Sequence, residues 1–123
     1  MSESWCGDAA QNLPVIAKVS DATPKVDLKI LLRDENLELM DRYLTNGGRS
    51  IPKLVAFDKK TLEYMWEWGP RPAPAQKLMA DNKISGAKPM DEVKKDIQIW
   101  YNKDKGRTLI EEFLALLAPC ISA

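Results

Sequence analysis

Histidine is absent from this chain of 123 residues, and its absence excludes several kinds of chemistry at once. A Ser-His-Asp triad, a Cys-His pair, an imidazole general base and the usual catalytic zinc site all need histidine. Any chemistry must therefore use cysteine, carboxylates, lysine, tyrosine or the backbone. We expect no metal site and no bound cofactor.

An excess of charge of one sign is also lacking, because 18 basic residues balance 18 acidic ones. Nothing here predicts a basic surface for nucleic acid or a polybasic cluster for anionic lipid. The longest apolar run, around 109–117, contains Glu111 and Glu112 and is too short to span a bilayer. We expect no secretion signal, because no charged segment followed by an apolar run is present at the start of the sequence. We therefore expect a cytoplasmic protein whose partners include neither nucleic acid nor a membrane.

Cysteine is scarce, with only Cys6 and Cys120 at opposite ends of the chain. Cys6 lies in the sequence WCGDA at 5–9, directly before a helical pattern. A sulfur at a helix start meets unpaired backbone N–H groups and the positive end of the helix dipole, and both favour a thiolate. The alternative for Cys6 is a small buried apolar residue. Cys120 ends an apolar helix, and we expect it to be a packing or terminal residue.

The spacing of apolar and turn-forming residues predicts an α/β chain. The predicted elements in order are a helix over 9–19 containing Pro14, a strand over 26–32, a helix capped by Asp34, a strand over 53–58, its hairpin partner over 62–68, and a helix over 75–81. A polar linker is predicted from Asn82 to Pro89, followed by two amphipathic helices that are separated at 105–106. This pattern divides the chain into a domain at 1–82 and a C-terminal helical pair at 83–123 that packs on the same domain.

Two motifs and the order of the elements resemble the thioredoxin family over roughly residues 4–81. The residues that carry this resemblance are Trp5-Cys6-Gly7-Asp8-Ala9 and, about forty-five residues further on, Gly48-Arg49-Ser50-Ile51-Pro52. In that family a Trp-Cys-Gly-x-x-Cys corner links a strand to a helix, and a cis proline precedes a β-hairpin and a last helix. The resemblance implies a thioredoxin-like fold, which is a mixed sheet flanked by helices.

The resemblance also implies roles for individual residues. Cys6 matches the nucleophilic cysteine, and Pro52 matches the cis proline that packs beside it. The backbone of Ile51 would pair with a substrate peptide, and Trp5 would flank the thiol. The implied substrate-binding residues are Trp5, Gly7, Asp8, Ile51 and Pro52.

Ala9 departs from the family pattern, because it stands where a dithiol enzyme carries its second cysteine. A mixed disulfide at Cys6 then needs an external thiol, such as glutathione or another small thiol, to resolve it. We expect monothiol exchange with a protein or peptide disulfide. The alternative is a redox-inactive domain that binds a peptide or partner protein. Asp8 suits the helix dipole but repels a neighbouring thiolate.

A second departure concerns the strand that the family places before the Trp-Cys motif. Met1 to Ser4 are too few and too polar to supply it. We expect an N-terminally incomplete copy of the fold, and the alternatives are a neighbouring chain or a rearranged sheet that fills the gap. An open sheet of this kind predicts an exposed apolar edge.

Overall fold

The structure is a computed structural model that describes the backbone of residues 1–121 and the side chains of residues 1–119. Within that range it contains five α-helices, one 3₁₀ turn and one sheet of two strands. The elements in chain order are α1 (Gly7–Asp21), the 3₁₀ turn (Arg33–Glu35), α2 (Leu37–Met40), β1 (Leu54–Phe57), β2 (Tyr64–Trp68), α3 (Ala73–Ser85), α4 (Met90–Asp104) and α5 (Arg107–Ile121).

The first helix, α1, confirms the helix predicted over 9–19 and extends it at both ends. It begins directly after Cys6, whose backbone is extended with φ −82° and ψ 120°. Asp8 in its first turn and Lys18 in its last turn complement the helix dipole. Pro14 lies inside the helix, which continues past it to residue 21.

The predicted hairpin is confirmed by the antiparallel pairing of β1 with β2. Leu54 lies opposite Trp68 and Phe57 lies opposite Tyr64, with one irregularity between Ala56 and Phe57. The connecting turn is closed by the Asp58 carboxylate, which accepts hydrogen bonds from the backbone N–H groups of residues 60 and 61 at 2.8 and 2.9 Å. The two strands form the only multi-residue sheet among residues 1–121.

The strand predicted over 26–32 is wrong, because only Leu32 takes part in a β-bridge, in parallel with Ser2. The N–H of Ser2 donates to the Leu31 carbonyl at 2.9 Å, and the Ser2 carbonyl accepts from Arg33 at 3.0 Å. A strand needs a neighbour along its whole length to satisfy its backbone groups. Here the pairing neighbour is a single residue, so residues 26–31 form no regular element.

The first two residues lie between two parts of the chain that the sequence places far apart. On the side away from Leu32, Met1 exchanges two hydrogen bonds with Lys53 just before β1: its ammonium donates at 2.9 Å, and its carbonyl accepts at 3.0 Å. The chain start therefore bridges the 31–33 segment and the hairpin. The structure shows a mixed α/β architecture with a small sheet, and the full mixed sheet of a thioredoxin fold is not present in the described residues.

The helix predicted after Asp34 is largely wrong. Asp34 lies inside the 3₁₀ turn and is not a cap, and α2 has only four residues with no side-chain cap at Asn36. Its predicted apolar stripe comprises Leu37, Met40, Tyr43 and Leu44, and of these only Met40 is buried. Tyr43 packs its ring on Tyr64 instead, with ring centroids 5.8 Å apart. The stripe is thus divided between a short helix and the hairpin, so no long helix forms.

Two clusters of buried residues hold the helices together. The first joins α1, β2 and α5, and its members are Ile16, Trp68, Leu109, Phe113 and Leu117. The second joins α3 and α4, and its members are Ala75, Met79, Val93, Ile97 and Tyr101. The two C-terminal helices therefore exist as predicted, but α4 packs mainly on α3 and α5 mainly on α1.

The predicted linker from Asn82 to Pro89 is wrong in its first half, because α3 continues to Ser85. Gly86 ends the helix in the left-handed conformation, and its N–H donates to the Asn82 carbonyl at 2.7 Å. The division of the chain at residue 82 remains a prediction. Among residues 1–121, none of the helices combines the length and apolar character that a membrane span requires.

Candidate functional site around Cys6

Cys6 occupies the N-cap position of α1. Its carbonyl accepts the first helical hydrogen bond, from the N–H of Ala10 at 3.1 Å, and its own N–H donates to Glu3 at 3.3 Å. The side chain is half-buried. The sulfur therefore lies at a helix start, where unpaired backbone N–H groups attract negative charge.

The Cys6 sulfur lies in contact with the second motif, the segment 48–52 that contains Ile51 and Pro52. Cys6 Sγ donates to the carbonyl oxygen of Ile51 at 3.5 Å, across 45 residues of sequence. The Ile51–Pro52 peptide bond is cis, and both residues are buried. The structure thus brings together the three residues to which the resemblance assigned the thiol and its neighbouring backbone.

Trp5 forms the exposed side of the site, with 64% of its surface accessible. The Arg33 guanidinium lies over its ring at 4.9 Å from the centroid and also donates to the Arg49 carbonyl at 3.2 Å. A cation over an exposed aromatic ring contributes about 0.5–1 kcal/mol. The indole is therefore held in place beside Cys6 while most of it stays open to solvent.

Gly7 and Ala9 have contrasting surroundings. A Cβ at Gly7 would meet no heavy atom within 4 Å, so space does not require glycine there. Ala9 is only 4% exposed and belongs to the buried core. The position at which a resolving thiol would stand is therefore packed among other atoms.

Asp8 is held by two side chains that the sequence interpretation did not identify. Its Oδ2 pairs with Arg71 at 2.9 Å, and its Oδ1 accepts a hydrogen bond from the Tyr101 hydroxyl at 2.9 Å. Both members of the ion pair are largely buried, with 18% and 17% of their side chains exposed. Arg71 follows the hairpin, whereas Tyr101 comes from α4, so the network joins three distant parts of the chain.

Asn12 completes this network from within α1. It is 2% exposed, and its Nδ2 donates to the Asp8 carbonyl at 2.9 Å and to the Tyr101 oxygen at 2.9 Å. The four-residue spacing of Asp8 and Asn12 puts both on one helix face, and this is the sequence signal that could have revealed a polar cluster. Nothing local pointed to Arg71 or Tyr101 as the partners.

The position of Arg71 bears on the repulsion expected between Asp8 and a thiolate. A guanidinium 2.9 Å from the carboxylate compensates its charge locally. Burial is the main cause that raises the pKa of Tyr101 well above its ordinary range, and the charge of Asp8 adds to it. The Tyr101 hydroxyl therefore remains a proton donor. The carboxylate two residues after Cys6 is therefore paired with both a cation and a hydroxyl.

Gly69 joins the end of β2 to the Pro52 segment. Its φ is 118°, and a Cβ built there would overlap the carbonyl oxygen of Pro52. Only glycine fits without moving the backbone that carries Ile51 and Pro52.

Cys120 lies outside the residues whose side chains the structure describes. Among the described residues, no group of three or more potential ligand side chains could hold a metal ion.

The family model described as thioredoxin matches residues 1–85. The chain therefore belongs to the thioredoxin family. Neither the curated proteins nor the solved structures contain a match to it. The match includes Cys6, the Ile51–Pro52 segment and Arg71, whereas α4 and α5 lie beyond it.

Proposed function

We propose that this protein carries out monothiol thiol–disulfide exchange through Cys6, with an external thiol as the resolving group. The observation that supports this most directly is the meeting of Cys6 Sγ with the Ile51 carbonyl at 3.5 Å, at the start of α1. The thiol is half-buried and lies beside an exposed Trp5. A reactive cysteine needs this combination of partial exposure and nearby positive potential.

The proposed exchange has three steps. The Cys6 thiolate attacks one sulfur of a substrate disulfide, whose S–S bond breaks, so that a mixed disulfide forms and the other sulfur leaves as a thiolate. One external thiolate then attacks the Cys6 sulfur, releases the second substrate sulfur and stays bound to Cys6. A second external thiolate releases Cys6, so that two external thiols are oxidised to one disulfide for each substrate disulfide reduced.

The external thiol is part of the proposal because of Ala9. That residue has no sulfur and is 4% exposed in the core. Glutathione is the probe of choice for the external thiol, and a reducing compartment such as the cytoplasm would supply it.

The proposed substrate is a protein or peptide disulfide that docks across Trp5 and the backbone of Ile51. Resemblance to the family supports this docking mode, in which the residue before the cis proline pairs with a substrate peptide. Gly7 and Asp8 would form the adjoining rim. The free space around Gly7 suits the approach of a second chain.

The test is to measure the alkylation rate of Cys6 by iodoacetamide in full-length protein that carries Cys120→Ser. We expect a faster reaction than that of an unstructured cysteine peptide at neutral pH. In the same protein, glutathione-dependent reduction of bis(2-hydroxyethyl) disulfide should proceed, and Cys6→Ser should abolish it. Alkylation no faster than the peptide, together with turnover that survives Cys6→Ser, would refute the proposal.

The second candidate is a redox-inactive domain that binds a peptide or partner protein. The observation that favours it is the 64% exposure of Trp5, because a large exposed indole is typical of binding surfaces. Capture of partners from a cell extract separates the two functions. If Cys6→Ser captures the same proteins with and without oxidant, binding suffices; if capture needs both Cys6 and oxidant, the thiol reacts.

A further inference from the structure

The Asp8 carboxylate is two residues from Cys6, and both of its side-chain partners come from elsewhere in the fold. Arg71 supplies an ion pair and Tyr101 a hydrogen bond, each at 2.9 Å. A bare carboxylate in this position would repel a thiolate at Cys6. The strength of this repulsion depends on how firmly Arg71 and Tyr101 hold the Asp8 carboxylate and how much of its charge they compensate.

The Tyr101 hydroxyl is fixed as a donor to Asp8. The residue is 9% exposed in the cluster that joins α3 and α4. Asn12 Nδ2 donates to the Tyr101 oxygen at 2.9 Å, which leaves the hydroxyl hydrogen for Asp8 Oδ1. The raised pKa of Tyr101 agrees with a hydroxyl that keeps its proton.

We propose that Tyr101 is a positioning residue for the Cys6 thiol, acting through Asp8. This inference rests on the proposed function of Cys6 in thiol exchange. It assigns a role to α4, which lies beyond the residues that match the thioredoxin family. The segment after residue 85 would then be part of the thiol site as well as part of the packed core.

The physical effect of the hydroxyl is electrostatic. Without it, the Asp8 side chain keeps only its Arg71 partner, and its carboxylate can turn towards solvent at the start of α1. A full unit charge about 4 Å from a reacting anion in water changes its rate by about fivefold. Because Arg71 still compensates part of the Asp8 charge, we expect a smaller effect, of about twofold. The effect depends on the charge of the attacking reagent, which distinguishes it from a simple loosening of the helix.

The experiment compares two alkylating reagents of similar size, anionic iodoacetate and neutral iodoacetamide, on full-length protein that carries Cys120→Ser. We expect Tyr101→Phe to lower the ratio of the iodoacetate rate to the iodoacetamide rate by about twofold. The matched control is Tyr64→Phe, which removes a hydroxyl from an exposed tyrosine on β2 that stacks on Tyr43. That control should leave the ratio unchanged.

The same substitution in an Asp8→Asn background shows whether Asp8 transmits the effect. With no carboxylate to reorient, Tyr101→Phe should no longer change the ratio. A ratio unchanged by Tyr101→Phe in protein whose circular dichroism is unaltered would overturn the inference, and so would an equal change with and without the Asp8 carboxylate. Either result is distinct from failure of the exchange proposal, which is measured by glutathione-dependent turnover.

Discussion

Gly69→Ala tests how the hairpin holds the Pro52 segment beside the thiol. The new Cβ would overlap the Pro52 carbonyl oxygen, which is a backbone atom and cannot swing aside as a side chain could. The residue would also adopt φ 118°. An L-residue at positive φ costs about 1–2 kcal/mol, and overpacking of a close contact costs about 1–3 kcal/mol. We therefore expect the free energy of unfolding to fall by about 2–5 kcal/mol.

Gly86→Ala is the matched control, because it isolates the backbone contribution. Gly86 has φ 63°, but no heavy atom lies within 4 Å of the position that a Cβ would occupy there. The free energy of unfolding of Gly86→Ala should therefore fall by only about 1 kcal/mol. Urea unfolding followed by tryptophan fluorescence measures both variants, since the chain contains four tryptophans.

Gly69→Ala should also change the alkylation rate of the Cys6 thiol. The overlap is relieved by separating the backbone at residue 69 from the segment that contains Ile51 and Pro52. We expect this movement to alter the 3.5 Å contact between Cys6 Sγ and the Ile51 carbonyl. We expect the iodoacetamide rate to change in Gly69→Ala and not in Gly86→Ala. Equal losses of stability in the two variants, with identical alkylation rates, would refute the close approach of Gly69 to Pro52.

Two further predictions concern the helices beyond the family match. Phe113→Ala should lower the free energy of unfolding by about 3–5 kcal/mol, because Phe113 is 3% exposed in the cluster that joins α1, β2 and α5. Leu114 is 52% exposed, so Leu114→Ala should have little effect in the same urea titration. Because the pKa of Tyr101 is raised on folding, the protonated hydroxyl stabilises the fold fully below the unfolded pKa of about 10, and this contribution is lost as the pH rises above that value. Wild type should therefore lose more stability than Tyr101→Phe between pH 9 and pH 11, and parallel curves for the two proteins would contradict this assignment.

Local patterns were sufficient for the elements whose signal is contained within one segment. The periodicity of α1, the turn at Asp58 and the break at 105–106 each depend on neighbours a few residues away, and each is present. The segment at 26–32 has an equally strong apolar pattern and forms no strand. A strand is defined by its partner, and Ser2 alone provides one.

The same distinction between local and distant partners applies to the candidate site. The resemblance pointed to Cys6, Ile51 and Pro52, and the structure places the Cys6 sulfur 3.5 Å from the Ile51 carbonyl oxygen. It could not identify Arg71 and Tyr101, because these reach Asp8 from loops and helices that no short motif connects. The link from Tyr101 to Asp8 spans 93 residues. The helix α4 packs mainly on α3, and its Tyr101 hydroxyl reaches Asp8 on α1.

These distant partners resolve a conflict that is visible in the WCGDA sequence itself. An acidic residue in the first turn stabilises a helix, because it complements the dipole, but the same charge repels the thiolate that the helix start favours. Pairing Asp8 with Arg71 retains the carboxylate at the helix start while a guanidinium compensates its charge. Tyr101 then fixes the direction of the remaining oxygen. The proposed reactivity of Cys6 is then compatible with a stable α1 when the segments that carry Arg71 and Tyr101 are in place.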